Sequence, residues 1–445
     1  MVVGAQATEV DLVVIGSGPG GYVAAIRAAE LGKKVTIIEK DNVGGVCLNI
    51  GCIPSKALIN IGHHYQESLE EEKGENPFGL SVGNVKLNWE SAQKWKQDKV
   101  VNQLTGGVKM LLKKHKVDVI QGTAEFIDNN TINVEQEDGF QLLQFNDVII
   151  STGSRPIEIP SFPFGGRIID STGALSLPEV PKHLIIVGGG VIGSELGGAY
   201  RMLGSKITIV EGLDHILNGF DKEMSDIIAN RVKSAGSEIF TSAMAKSATQ
   251  TDKDVTLTFE VDGKEQTVTG DYLLVSVGRR PNTDLIGLNN TDVKLTDRGL
   301  IEASFQAKVA AAAIAGAEDD VDLHVALPAV AYTTTELATV GETPESVKDR
   351  KDVKISKFPF AANGRAISMN DTTGFLRLIT ETKEGALIGA QIVGPGASDL
   401  ISGLSLAIEN GLTSKDISLT IQPHPTLGEA IMDTAELADG LPIHV

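Results

Sequence analysis

Near its start the chain carries a mostly apolar run, Val10 to Ile15, then a glycine turn, an alanine-rich stretch from Tyr22 to Leu31, and a second apolar run from Lys34 to Glu39. Short apolar runs closed by glycines predict buried strands, and the longer alanine stretch predicts the helix that joins them. The same order returns later: a predicted strand from His183 to Val187, glycines at 188 to 190, a helix through about Leu203, and a strand ending at Glu211. Two βαβ units are therefore expected, each with a parallel sheet.

Between them the pattern is mostly helical from Lys56 to about Lys114, then alternates in short strands as far as Ile150. The small-residue turn Ser151-Thr152-Gly153 has a counterpart in Val277-Gly278-Arg279 after a predicted strand from Tyr272 to Val277, which suggests two crossings between the halves. From about Leu323 alternating strands, including Gly374 to Thr380 and Ala386 to Val393, precede helices, as in a separate α+β domain. The expected divisions are 1–154, 155–280, a central segment 281–322 and a last domain 323–445.

A length of 445 residues exceeds one hydrophobic core, and 42% hydrophobic with 22% charged residues is ordinary for a globular enzyme. A formal charge of -19 argues against nucleic acid or an anionic membrane as partner. No apolar stretch reaches the length of a spanning helix by this reading, and no secretory pattern opens the chain, so a cytoplasmic protein is expected. Cys47 and Cys52 are the only cysteines, too few to staple a fold.

In the first unit Gly16, Gly18 and Gly21 fit GxGxxG, with Glu39 eighteen residues beyond; in the second, Gly188, Gly190 and Gly193 fit it, with Glu211 eighteen residues beyond. Such glycines let the backbone approach a pyrophosphate at a helix N-terminus, and the acid accepts ribose hydroxyls. The architecture expected is thus α/β, with two Rossmann-like dinucleotide-binding domains and a C-terminal α+β domain. Glu211 would repel the extra phosphate of NADP, which favours NAD; the alternative is an ordinary exposed strand-end glutamate.

Cys47 and Cys52 flank a glycine just after the first unit, in Gly-Gly-Val-Cys-Leu-Asn-Ile-Gly-Cys-Ile-Pro-Ser-Lys. Their spacing can close a small disulfide loop, and thiol-disulfide exchange needs a sulfur to attack and a sulfur to leave; two inert buried cysteines are the other reading. No metal site is expected, because two cysteines lack further ligands at recognisable spacing and His63-His64 falls on a predicted helix. His424 stands between Pro423 and Pro425, and Glu429 could orient its imidazole as a general base. A histidine between prolines can equally be structural.

Taken in order, the two nucleotide units, the cysteine motif and His-Pro-Thr-Leu-Gly-Glu resemble the pyridine nucleotide-disulfide oxidoreductases over nearly the whole chain, and within them the branch that oxidises dihydrolipoamide. The resemblance implies FAD held by the first unit with Glu39, Lys56, the backbone at Ala124, Thr152 and Gly153. It implies NAD held by Gly188 to Ile192, including Val191, with Glu211, Met244, Gly278 and Arg279. Cys47 would be the thiol that meets substrate and Cys52 the thiol beside the flavin, with Lys56 and Glu195 paired near the flavin ring. His424 would act on the partner subunit's disulfide, so a homodimer with a C-terminal dimerisation domain is implied. The lipoyl domain and acyltransferase core of a 2-oxoacid dehydrogenase complex would be its partners. A glutathione reductase-like enzyme is the alternative within the family, against which Glu211 and Leu48 argue.

One departure from the family stands out. Members carry a Gly-Asp motif, whose aspartate holds the flavin's ribityl chain, between the second nucleotide domain and the last domain. Here Asp297 to Glu302 runs directly into Ala303 to Val309, which resembles the helix after that motif. Ala315-Gly316-Ala317-Glu318-Asp319 does not replace it, since it lies at that helix's end and not after a strand. Residues are expected to be missing at the Glu302–Ala303 join; a true deletion would weaken flavin binding and leave an inactive structural subunit as the alternative.

Overall fold

The computed structural model describes residues 7–75, 77–302, 306–317, 325–441 and 443. The strand Thr8–Ile15 is central to a six-stranded sheet, with Val35–Glu39 and then Asp118–Gln121 on one side and Gly139–Ile150 on the other, all parallel; two antiparallel strands, Thr131–Gln136 and Thr123–Phe126, complete the far edge. The second unit repeats the core of this plan. His183–Val187 lies between Lys206–Val210 and Tyr272–Val275 in a five-stranded parallel sheet, whose outer strands are Glu238–Phe240 and Ile168–Ile169. In both sheets the central strand therefore sits where connections leave in opposite directions, the place where open α/β sheets leave a crevice for a ligand.

The two small-residue turns lead into a short antiparallel ladder, Ser154–Pro156 against Arg279–Pro281, so the chain does cross between the halves twice. An antiparallel three-stranded sheet, Met244–Gln250, Val255–Val261 and Lys264–Gly270, is inserted into the second unit. The last part is a five-stranded antiparallel sheet covered by helices Ala397–Glu409 and Glu429–Asp439. Ala303 to Phe305 and Glu318 to His324 lie outside the described residues, and with them the expected join and most of the Ala315-to-Asp319 stretch. The helix Ala307–Ala315 buries Ala311 in the same core as Leu12, Val14, Ala25 and Ala28 of the first unit.

The helix Cys52–Lys73 carries the second cysteine and packs on the second unit's first helix, Val191–Met202. Gly62 makes the approach close, since a Cβ there would lie 3.1 Å from the carbonyl oxygen of Ala199. Leu58 and Ile59 share a core with Leu196, Tyr200 and Met202, and with Phe375 and Val393 of the C-terminal sheet. Read with the short helix before it, this segment is apolar enough over Gly45–Lys73 to meet the length and composition of a membrane span, which corrects the sequence-based expectation that no stretch does. Part of it is buried, where Leu58 and Ile59 pack against Val191–Met202.

Helix and strand meet most tightly at the third glycine of each triplet. A Cβ on Gly21 would stand 1.8 Å from the carbonyl oxygen of Gly16, and one on Gly193 would stand 2.1 Å from that of Gly188. A Cβ on the adjacent Gly20 would meet only the Ser151 hydroxyl, at 2.9 Å. Gly21→Ala is expected to cost about 3 kcal/mol or more, because backbone must move, while Gly20→Ala stays within about 1 kcal/mol. Urea unfolding of both variants checks this; equal stability would contradict the packing argument.

Candidate active site

The first glycine of each triplet is demanded by the fold as well. Gly16 and Gly188 have φ of 94° and 99°, and a Cβ on either would lie within 2.6 Å of a carbonyl oxygen, Ser151 or Ser276. The middle glycines differ. Gly18 and Gly190 both have φ of -66°, open to any residue. A Cβ on Gly18 would come no closer than 4.0 Å to Gly45, and one on Gly190 would meet nothing within 4 Å. Nothing among the described residues requires glycine at these two positions, which cap the helices Pro19–Glu30 and Val191–Met202. The open space over a helix N-terminus fits the pyrophosphate of a dinucleotide in both units.

The terminal acids reach back to these loops in the same way. Glu39 is buried and accepts from the Ser17 N–H at 2.9 Å and hydroxyl at 2.6 Å, while its other oxygen accepts from the Asp41 N–H at 2.8 Å. Glu211 accepts from the Gly189 N–H at 2.6 Å and the Leu213 N–H at 2.8 Å. Each carboxylate thus ties the end of its strand to the residue after the first glycine.

Cys47 lies within the short helix Gly45–Ile50, and Cys52 opens the next helix. Gly44 and Gly45 start this segment at φ of 101° and 59°; the Gly44 N–H donates to the Ser17 carbonyl at 3.0 Å, and a Cβ on Gly45 would lie 2.6 Å from the Gly18 Cα. The cysteines are therefore hung directly on the glycine loop. They stand as two free thiols, Cys47 half-buried and Cys52 exposed, where the spacing leads one to expect a disulfide. Dithiol and disulfide are two states of one redox couple, and a pair at this spacing can pass between them. Burial and the adjacent Cys52 push the Cys47 thiol up to about 12, against a smaller lowering by the Lys56 ammonium. Such a thiol keeps its proton at neutral pH unless a base removes it.

Lys56 forms an ion pair of 2.7 Å with Glu195, which is 6% exposed, on the helix Val191–Met202. The second oxygen of Glu195 accepts from the Tyr332 N–H at 2.9 Å, and the Lys56 ammonium lies 4.5 Å from the Tyr332 ring centre. One carboxylate joins the cysteine helix, the second dinucleotide unit and the C-terminal part. At the other end of the chain, His424 Nδ1 lies 2.8 Å from Glu429, whose second oxygen accepts from the Thr426 N–H at 2.8 Å. The His424–Pro425 peptide is cis, and the His424 side chain is 80% exposed. The bond at Nδ1 leaves Nε2 free to exchange a proton.

Among the remaining expected positions, Ala124 is buried in the first unit's core, and the carbonyls of Thr152 and Gly153 accept from Asn282. Arg279 is held by Ser154, to whose hydroxyl it donates at 2.9 Å, and Gly278 precedes it at φ of 131°. Met244 opens the inserted sheet and is 57% exposed, Val191 is exposed at the glycine loop, and Ile192 is half-buried. Ser17, Gly44, Gly45 and Tyr332 belong to the site too. Gly44 and Gly45 were visible in the cysteine motif, whereas Tyr332 has no signal in its own neighbourhood.

Residues 10–314 match the family model described as pyridine nucleotide-disulphide oxidoreductase, and residues 327–435 match its dimerisation domain. The chain belongs to the pyridine nucleotide-disulphide oxidoreductases. It is a flavoprotein disulfide oxidoreductase of a family that uses FAD and NAD, and its match to the dimerisation domain supports a homodimer. It is 51% identical to dihydrolipoyl dehydrogenase of Geobacillus stearothermophilus over 473 residues, with 100% of this chain and 99% of that one covered. The same enzyme of Staphylococcus aureus is 52% identical over 472 residues, with 100% of both covered. Among solved structures, LpdA of Mycobacterium tuberculosis is similar with a TM-score of 0.86 and 26% identity, over 96% of this chain and 99% of that one. The HOCl-induced flavoprotein disulfide reductase RclA of Escherichia coli is similar with a TM-score of 0.82, at 26% identity over 96% and 99% of the two chains.

The middle glycines separate ligand requirements from folding requirements. Gly18→Ala is expected to weaken FAD binding about tenfold or more, and Gly190→Ala to do so for NAD, each with unchanged thermal stability of the ligand-free protein. Ligand titration beside thermal melting checks both; loss of folding in either, or unaltered affinity, would contradict the assignment of that space.

Proposed function

We propose that this chain oxidises protein-bound dihydrolipoamide to lipoamide, with Cys47 and Cys52 as the redox pair and His424 of the partner subunit as the base. The observation that carries this reading is the cysteine pair suspended on the first glycine loop, where Gly44 bonds to Ser17 and Gly45 lies on Gly18. In the oxidised enzyme the base takes a proton from one substrate thiol, whose sulfur attacks the Cys47 sulfur; the Cys47–Cys52 bond breaks and Cys52 leaves as a thiolate. The second substrate thiol, once deprotonated, attacks the mixed disulfide and releases Cys47, so the substrate leaves oxidised and the pair is reduced by two electrons. FAD, held by the first unit's glycine loop and Glu39, would supply the two-electron redox chemistry that links the cysteine pair to NAD. Glu429 fixes the His424 tautomer, Lys56 with Glu195 sets the cysteine helix against the second unit, and Glu211 selects NAD over NADP.

By this reading Gly16, Gly18, Gly21, Glu39, Lys56, Ala124, Thr152 and Gly153 serve FAD. Gly188 to Gly193, Glu211, Met244, Gly278 and Arg279 serve NAD. The domains divide at 1–154, 155–280, 281–322 and 323–445, and the dimer serves the lipoyl domains and acyltransferase core of a 2-oxoacid dehydrogenase complex in the cytoplasm.

A second reading rests on a specific observation. The alignment with the Geobacillus stearothermophilus relative spans 473 positions and this chain has 445 residues, so 28 positions lie opposite no residue of it. We assign much of that difference to the Glu302–Ala303 join. If the natural protein lacks those residues, part of the flavin cradle is gone, and FAD would be held at least about a hundredfold more weakly than by a full-length relative. Equilibrium dialysis against FAD distinguishes the two readings.

His424→Ala is expected to lower dihydrolipoamide oxidation by about two to four orders of magnitude while FAD content is unchanged. Cys47→Ser should abolish it. Steady-state turnover measures both, and near-normal rates in either variant would contradict the role of the residue replaced. With wild-type protein, kcat/KM for NAD should exceed that for NADP by about a hundredfold.

A further inference from the structure

A buried lysine far along the chain from both glycine loops has no place in this chemistry. The helix Trp89–Trp95 passes into a π-helical turn, Lys96–Val101, a local widening that is frequent at functional positions. Lys96, the first residue of that turn, is only 5% exposed. Its ammonium donates to Gln93 Oε1 at 2.5 Å and to the Leu175 carbonyl, which accounts for two of three protons. Among the described residues no carboxylate forms an ion pair with it, and burial lowers its pKa to about 8. Beside it, Gln93 Nε2 is buried without a hydrogen-bond partner. A buried cation lacking a counterion and a buried amide lacking an acceptor are each costly, and both are relieved by one anion that reaches them together.

The space for such an anion is present. Lys96 and Gln93 line a cleft of about 630 Å³ between this helix and the segment Ser176 to Pro178. Trp89, Leu177 and Pro178 form its apolar wall, and Trp89 is fixed by a bond of 3.0 Å from its Nε1 to the Leu177 carbonyl. Glu90, Lys94 and Asp98 supply the other charges from the helical side, and residues 176–178 supply none. We propose that this cleft is a binding site for a small monocarboxylate with a flat apolar body. The carboxylate would sit against the Lys96 ammonium and the Gln93 amide, and the body against Trp89 and Pro178. Two oxygens in one plane match two donors from one helix turn, and the wall selects against bare inorganic anions.

The chain has two tryptophans, Trp89 and Trp95, both on this helix, so intrinsic fluorescence reads the cleft directly. The homodimer is titrated with benzoate and, separately, with benzyl alcohol, a neutral molecule of similar shape. The expected result is a saturable change with benzoate that is at least about tenfold weaker with benzyl alcohol, and that persists in Trp95→Phe. Lys96→Met should weaken benzoate at least about tenfold and Gln93→Leu severalfold, with far-UV circular dichroism unchanged. Gln93→Leu keeps the test open if Lys96→Met does not fold. No saturable response to benzoate, an equal response to benzyl alcohol, or undiminished binding in a folded Lys96→Met or Gln93→Leu variant would overturn the proposal.

Discussion

The approach of each first helix to its own strand, through glycines that admit no side chain, is the constraint on which the remaining structure depends. Gly21 and Gly193 let the helix backbone pass over the carbonyls of Gly16 and Gly188. That contact aims each helix N-terminus at the crevice beside the central strand and leaves Gly18 and Gly190 facing open space. It also fixes where the chain must go next in the first unit. Gly45 lies on Gly18 and Gly44 bonds to Ser17, so the cysteine segment is placed by the glycine loop itself. By the proposed reading, one piece of backbone geometry locates both the redox pair and the cofactor it must reach.

A second constraint holds the parts in register. Glu195 is buried and satisfied by Lys56 from the cysteine helix and by the Tyr332 N–H from the C-terminal part, so none of the three can shift without leaving a buried charge underpaired. A similar tie lies further out, where buried Arg377 of the C-terminal sheet meets Glu223 and Asp221 at the start of the helix Lys222–Ser234. The cysteines are consequently mounted on a rigid frame, whereas His424 is exposed on its own chain and is oriented, among the described residues, by Glu429. A base so placed is suited to work across a dimer interface, which accords with the proposed role.

Both βαβ units were legible because apolar runs closed by glycines leave few alternatives, and boundaries such as His183–Val187 were read as they stand. The two crossings were legible from their small-residue turns. The stretch from Lys56 to about Lys114 was read as mostly helical, and the described residues within 74–88 are its non-helical part, where Gly74, Pro77, Gly79 and Gly83 break the pattern. The apolar character of Gly45–Lys73 was underestimated because its polar residues cluster at the C-terminal end. Tyr332 and Ser17 could not be read at all, since each becomes a site residue only through a partner far away in the chain. The π-helical turn at Lys96 was likewise invisible, because its sequence has ordinary helical composition.

The central claim is that dithiol electrons enter at Cys47–Cys52 and leave on NAD. It is tested most directly by mixing FAD-loaded dimer with limiting dihydrolipoamide under anaerobic conditions, following flavin absorbance, and then adding NAD. The account predicts that the enzyme gains one electron pair per dithiol added, that NAD restores the starting spectrum with a matching yield of NADH, and that Cys52→Ser abolishes this transfer. Reduction of NAD by that variant at the wild-type rate, or a wild-type enzyme that dihydrolipoamide leaves oxidised, would contradict it.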